Sequence, residues 1–273
     1  MTFQIDPPNP PPEFFKIRQS AGMAIQAQFN RLKGKLDLAH DYKWVKPELS
    51  WPSFDHLTFG YRNQIFSVLV ASVRNGKVSL RSEEISRCLA ACEENNLVPC
   101  LFLVDEVTMR PTAAGWNLVH LESRNPISPD EMGSDLQVEM SDWELRNFSI
   151  QVVRSHIEDQ GGKIDSFCDV LGIDPQIWFV DGKGQRAWAI VRHYPQITGD
   201  EKSEWTGYER SNPRLSAFDG YHAAISIASN AAFLNAKDGK SIPLSERFTG
   251  KAPLYRGDQF YIKFEGLERI YVC

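Results

Sequence analysis

No run of 18 apolar residues occurs anywhere in the 273-residue chain, which excludes a hydrophobic spanning helix. Met1 to Pro12 contains neither a basic residue nor an apolar core segment, so no secretory leader is read there and a cytoplasmic address is expected. Cysteine is scarce. The five at positions 88, 92, 100, 168 and 273 form no C-x-x-C pair, a pattern that fits neither a zinc site nor a disulfide framework and predicts reduced core thiols. Positive charge is in deficit, with 30 Lys+Arg against 35 Asp+Glu and a net charge of -5. That balance argues against a general nucleic-acid coat, though it leaves room for one local basic groove. The phosphate-cradling patterns GxxxxGK[ST] and GxGxxG and the GxSxG elbow are all missing. The six histidines, at 40, 56, 120, 156, 193 and 222, never stand four apart around a glutamate as a helical zinc site requires. Cys88 and Cys92 share a predicted helix with Glu83, Glu84, Glu93 and Glu94. Acidic neighbours raise a thiol pKa, which speaks against a catalytic cysteine.

What is present is a soluble-type α/β pattern long enough for one large or two small domains. Five of the six residues from Pro7 to Pro12 are proline, so residues 1–12 are read as a polyproline arm. From Glu13, Phe14, Ile17, Ala21, Ile25, Phe29 and Leu32 recur every three or four residues and predict an amphipathic helix to about residue 33. Leu57 to Tyr61 and Gln64 to Val73 predict a hairpin around Arg62-Asn63. A helix follows from Ser82 to about Asn95, then a buried strand from Leu97 to Val104. Residues 13–104 are therefore one mixed module. Residues 105–140, dotted with Pro111, Gly115, Pro126, Pro129 and Gly133, are read as a linker. The pattern then restarts over 141–273. Ser141 and Glu144 form a capping box, with Leu145, Phe148, Val152, Val153 and Ile157 lining the helix behind it. Strands are predicted at 163–168, 175–180 and 186–194, the last two joined by Asp181-Gly182-Lys183-Gly184. A small-residue helix is expected from Tyr221 to Leu234, with closing strands at 260–264 and 269–272.

The overall expectation is mixed α+β, with two similar αβββαβ-type modules in tandem. Asp55 lies 12 residues before Ser67 on the first hairpin's second strand, and Asp174 lies 13 before Ala187 on the second's. Helix, hairpin and buried strand in this order, with an acid at the start of the hairpin, resemble the core of the restriction-endonuclease-like, or PD-(D/E)XK, superfamily. The resemblance implies one acid on the first hairpin strand and an acid-x-lysine on the second, holding Mg²⁺ and the attacking water. Hard carboxylate oxygens suit that ion, and the cation helps position the water or stabilise phosphate charge. Asp174 matches the first acid, in the order Asp174-Pro175. The second strand departs, since Ala187-Trp188-Ala189-Ile190-Val191-Arg192 has no carboxylate and an arginine as its only cation. Around Asp55 the second strand, Ser67 to Ser72, supplies neither acid nor lysine. The resemblance therefore implies a degenerate core, for which Glu144, or Asp169 or Asp181 from loops, is the candidate to restore a carboxylate.

Residues 205–221 form the other notable surface, with Trp205, Tyr208, Phe218 and Tyr221 interleaved with Arg210, Asn212 and Arg214. Aromatics with arginines compose both protein hot spots and single-strand nucleic-acid platforms. An aromatic lid over the core gives the same composition. The resulting expectation is a non-catalytic binding protein acting in a larger prokaryotic-type assembly, such as a defence, mobile-element or secretion system. It would use the 205–221 loop and the proline arm, need no cofactor and engage no membrane. The alternatives are a Mg²⁺-dependent nuclease with a migrated site of Glu144, Asp174 and Arg192, its metal on Asp174 and Glu144, or a nucleic-acid binder that has lost its chemistry.

Overall fold

A computed structural model of the chain describes residues 12–32, 42–46, 56–205, 208, 214–230, 248 and 253–270. Most of the proline arm, Asp55, Arg210, Asn212 and Cys273 lie outside them. The described part is mixed α+β, with four helices and two mixed sheets. It divides into two compact units, one ending at Leu136 and the other beginning at Gln137.

In the first unit, α1 (Pro12–Leu32) places Ile17, Ala21, Ile25 and Phe29 on one buried face. Strands β1 (Lys43–Lys46), β2 (His56–Tyr61) and β3 (Gln64–Arg74) pair antiparallel in series. The β2–β3 turn needs a left-handed residue and takes Arg62 at φ 51°. Asn75 and Gly76, both at positive φ, lead into β4 (Lys77–Ser79) as a two-residue hairpin turn requires. Helix α2 (Ser82–Glu94) then carries the chain to β5 (Val98–Asp105), which runs parallel to β3. Period-two alternation explains why β3 is buried on both faces. Phe66, Val68 and Val70 join the α1 core, while Ser67 Oγ lies 4.0 Å from Cys88 Sγ of α2.

Residues 105–140 differ from the linker expected. They contribute β6 (Arg110–Pro111), β7 (Leu118–His120), β8 (Pro126–Ile127) and the single-turn helix α3 (Pro129–Met132), all within the first unit as far as Leu136. Strands of two or three residues are too short to show a period. Met109, Asn117 and Arg124 take positive φ there without a glycine to signal it.

In the second unit, α4 (Asp142–Asp159) starts from the expected capping box, with Ser141 Oγ accepting from the Glu144 N–H. Strands β9 (Lys163–Phe167), β10 (Ile177–Val180) and β11 (Arg186–His193) follow as an antiparallel series. Strand β12 (Asp219–Ser229) runs parallel to β11, and β13 (Phe260–Lys263) and β14 (Glu268–Ile270) pair antiparallel with β12. The two units thus share one topology. In each, a helix precedes three antiparallel strands, a crossover leads to a parallel fourth strand, and an antiparallel strand lies beyond it. The crossover is helical in the first unit. In the second it is an irregular segment containing a 3-10 turn at Glu201–Trp205.

Ala187, Ala189 and Val191 of β11 face the α4 core with Ile150, Val153 and Ile157, while Trp188 and Ile190 face the opposite side. The crossover covers that side. Leu215 is buried against Trp188, whose Nε1 donates to the Leu215 carbonyl at 3.1 Å, and Trp205, Tyr208 and Phe218 pack around them. Where a helix was expected from Tyr221 to Leu234, the chain forms β12. Ala223 and Ala228 are buried in this strand, and this tertiary setting overrides their helix propensity, while residues 231–234 of the expected helix lie outside the described ones. Gly220, opposite Trp188 in the β11–β12 register, has no room for a side chain, because a Cβ there would collide with the indole.

Burial pushes the Glu201 carboxyl up, but hydrogen bonds from Thr198 and Gly199 outweigh it and hold the group down at about 2. Gly220→Ala will overpack the Trp188 side and lower unfolding stability by about 1–3 kcal/mol; an unchanged denaturation midpoint would show that the indole moves aside. Glu201→Gln will cost about 1.5–3 kcal/mol at pH 7, the usual worth of hydrogen bonds to a charged group. A carboxyl with a depressed folded pKa stabilises fully above its unfolded value, here 4.5, and stops doing so as pH falls through about 2. The gap between wild type and variant will therefore close over that window in pH-dependent denaturation, and a constant gap would refute the assignment.

Candidate functional site

The polar centre of the second unit lies where the β9–β10 connection meets the end of β11. Asp174 sits in that connection, and both its oxygens accept from Arg192 Nη2, at 2.7 and 2.8 Å. Arg192 Nη1 donates at 3.2 Å to Oε1 of the fully buried Gln176, which also accepts from the Val191 N–H at 2.7 Å. The Gln176 amide donates back to Asp174 and to the Ile173 carbonyl. A second guanidinium, that of Arg146 in α4, stands 3.8 Å from Asp174 Oδ1. Burial, and then the Arg192 charge, push Arg146 below its ordinary arginine value while leaving it a cation. The Trp205 ring lies 4.4 Å from the Arg192 guanidinium and stacks near His222, whose Nε2 is 3.3 Å from Tyr194 Oη. Burial holds both His193 and His222 below the ordinary histidine value.

The structure brings Asp174 and Arg192 into direct contact and commits Glu144 elsewhere. Both Glu144 oxygens accept from Arg256, at 2.8 Å each, in a pair whose side chains are 4% exposed, and Glu144 also accepts from the Ser141 N–H. Asp169 is buried and accepts from Trp143 Nε1 at 3.2 Å and Asn147 Nδ2 at 3.3 Å. Asp181 accepts from the Lys183 and Gln185 N–H groups of its own turn. Among the described residues no group of three or more His, Cys, Asp or Glu is placed to hold a metal ion. The carboxylates of Asp174 and Glu144 each face a guanidinium, so they do not offer a divalent cation the open oxygens it needs.

The aromatic surface expected over 205–221 is divided. Trp205 and Tyr208 are half-buried on the Trp188 side of the sheet, whereas Tyr221 belongs to β12 and packs 6.0 Å from Phe179 on the α4 side. Arg214 is exposed in the turn before Leu215. The described aromatics thus cover core because Trp188 and Ile190 need covering. Reading the sequence missed Gln176, Arg146 and Arg256. Arg146 stands two residues after Glu144 with no local signal of its own, and Arg256 lies 112 residues from its partner, beyond any local spacing.

The same centre borders an open cleft of about 370 Å³ lined by Asp142, Leu145, Arg146, Leu171, Gly172, Val191, Arg192 and His193. Beside it the connection exposes three apolar side chains, with Val170 40%, Leu171 43% and Ile173 38% accessible. Asp169 and Asp174 anchor this short loop at its two ends.

The Glu144–Arg256 pair tests how the unit balances buried charge. Arg256→Met will cost about 3–5 kcal/mol by stranding a buried carboxylate. Adding Glu144→Gln, which removes the charge while keeping the cap, will recover most of the loss. Equal denaturation midpoints for the single and double variants would show that Arg256 acts through packing alone.

Residues 143–270, from the first turn of α4 to the end of β14, match a family model described as a domain of unknown function (DUF8840). No curated protein and no solved structure matches the chain.

Proposed function

We propose that the chain is a non-catalytic binding protein that works within a larger assembly, built on two modules resembling the restriction-endonuclease-like core. The observation that carries this reading is the Asp174–Arg192 pair. The acid that matches the family's first metal-binding position has both oxygens on a guanidinium. On the facing strand, Ala187 and Ala189 occupy the region where the acid-x-lysine belongs, and both are buried against α4. Hydrolysis of a phosphodiester in that family's manner needs carboxylates open to a cation. Here the charge is neutralised internally.

Binding has its own support. Monomeric surfaces rarely concentrate apolar side chains without a use for them. Val170, Leu171 and Ile173 are exposed within four residues, on a loop whose ends are tied down. The described part of the 205–221 segment serves as a lid, so the capturing surface is this loop and its cleft. No helix among the described residues is long and apolar enough to cross a membrane.

Purified protein incubated with labelled single- and double-stranded DNA and RNA, with and without Mn²⁺, will leave every strand intact and unshifted on a gel. Divalent-dependent cleavage that disappears in Asp174→Ala would overturn the proposal. An intact but retarded strand, released steeply by salt, would replace it with nucleic-acid binding through phosphate contacts.

A further inference from the structure

The sheet of the second unit ends on one side at β9 and on the other at β13 and β14, which follow one another along the far side of β12. A strand edge left open invites another strand unless charge, a bulge or a cover discourages it. Two of these three segments carry such protection. Strand β9 exposes Lys163 and Asp165, and its pairing with β10 shifts register between Trp178 and Phe179. Strand β14 presents Glu268 and Arg269, paired with Lys202 and Asp219, and its register on β12 is offset by one residue from that of β13. Strand β13 instead exposes Ile262 at 43% and Tyr261 at 37%. Among the described residues no strand pairs with its outer edge.

One bond fixes the backbone phase of that edge. The Asn230 N–H donates to the Gln259 carbonyl at 2.6 Å, one step beyond the Ser229–Phe260 pair and in the same register. Hydrogen-bonded and non-bonded pairs alternate along an antiparallel ladder, so Tyr261 and Lys263 also bond towards β12. Phe260 and Ile262 therefore turn their N–H and C=O groups outward. The same residues lie on one apolar face. Ile262 stands opposite Ile227 of the α4 core, Phe260 packs 5.8 Å from Phe148 of α4, and Phe264, just past the strand, packs 5.1 Å from His156. A cleft of about 400 Å³, lined by Phe148, Val152, His156 and Phe264 among others, opens beside this row.

We infer that β13 pairs antiparallel with β13 of a second copy of this chain, across a twofold axis at Ile262. Residues opposite one another in such a pair share a face, so a twofold ladder is centred on a single residue. Centring it on Ile262 lets the two copies exchange both N–H···O bonds there. It sets Phe260 against Phe264, Tyr261 against Lys263, and Gln259 against Glu265 of the second copy, so no like charges meet. A centre at Lys263 would oppose two lysines, which is unfavourable. Strand addition draws affinity from main-chain bonds and specificity from alternate side chains. The strand that completes this row must carry apolar residues at every second position on the α4 face, and β13 itself carries them. Ile262 and its copy then cover each other. The dimer goes beyond the reading of the chain as a binding protein and does not depend on it.

The test is sedimentation equilibrium of the full chain between about 1 and 500 µM, the range a small interface calls for. The weight-average mass is expected to climb from the monomer's 31.0 kDa towards twice that value. Ile262→Pro removes an outward N–H and no bond to β12, as an edge position allows, and will weaken association at least tenfold without moving the melting temperature of dilute protein. Ile262→Lys, which opposes two lysines at the axis, will weaken it as much and decides if the proline variant does not fold. Leu171→Ser, on the exposed β9–β10 connection, will leave association unchanged. In hydrogen exchange the Ile262 amide will be at least tenfold better protected at the highest concentration than at the lowest. A mass fixed at 31.0 kDa throughout would overturn the assignment, as would association that survives both Ile262 variants or leaves the Ile262 amide unprotected. Association lost in Leu171→Ser and kept in Ile262→Lys would overturn it in favour of contact through the apolar loop.

Discussion

An ionised carboxylate placed where Asp174 sits, with 14% of its side chain exposed, is tolerable only when it is paired and hydrogen-bonded. Arg192 provides that pairing through one nitrogen, Nη2, which donates to both carboxylate oxygens, and Gln176 ties both partners to the backbone of β11. The consequence is mechanical as well as electrostatic. One end of the β9–β10 connection is fixed to the end of β11, while Asp169 fixes the other through Trp143 and Asn147 of α4. Only the short apolar stretch between them projects outward. A loop held in this way presents Val170, Leu171 and Ile173 with little conformational entropy left to lose on binding.

The first unit repeats the topology without repeating the electrostatics. Between β3 and α2 it buries Ser67, Cys88 and Cys92, with Cys100 on the neighbouring strand β5. Burial pushes the Cys100 thiol well above its ordinary value, whereas hydrogen bonding to Cys88, and then to Ser67, holds Cys92 below its own. The acidic helix face suggested a raised thiol at both α2 positions. For Cys92 the enclosed partner outweighs exposed glutamates on the far face, as expected when water screens the distant charges. One fold can therefore bury either thiols or ions around the same strand pair, so topology alone carries no chemistry.

Much of this architecture is legible in the sequence because it is periodic or punctuated. The α1 stripe, the hairpin at Arg62-Asn63, the Ser141–Glu144 box and the Asp181–Gly184 turn are all local signals, and each forms where expected. Asp174 and Arg192 were also visible, as an acid just before one hairpin strand and an arginine near the end of the other. Their direct pairing was not, because it depends on Gln176 and on the register of β10 against β11. Strand β12 was hidden for a different reason. Its alanines and Gly220 are chosen for what stands opposite them, and that neighbour is 32 residues away in the case of Trp188. Short strands β6 to β8 lack the length to alternate, so tertiary pairing alone reveals them.

The aromatic crossover links packing to the site. Trp205 was conspicuous as a binding residue, yet it packs in the Trp188 cluster with its ring against the Arg192 guanidinium. The ring adds a cation–π contact to a guanidinium that Asp174 already holds. It also removes Arg192 as a donor for anything arriving from solvent, because Asp174, Gln176, the Val191 carbonyl and the indole already occupy it. Arg146, with 11% of its side chain exposed against 22% for Arg192, meets the same carboxylate only through a longer ion pair. The described part of the crossover is thereby committed to the sheet and to Arg192, which is why its aromatic and arginine composition did not reveal its place.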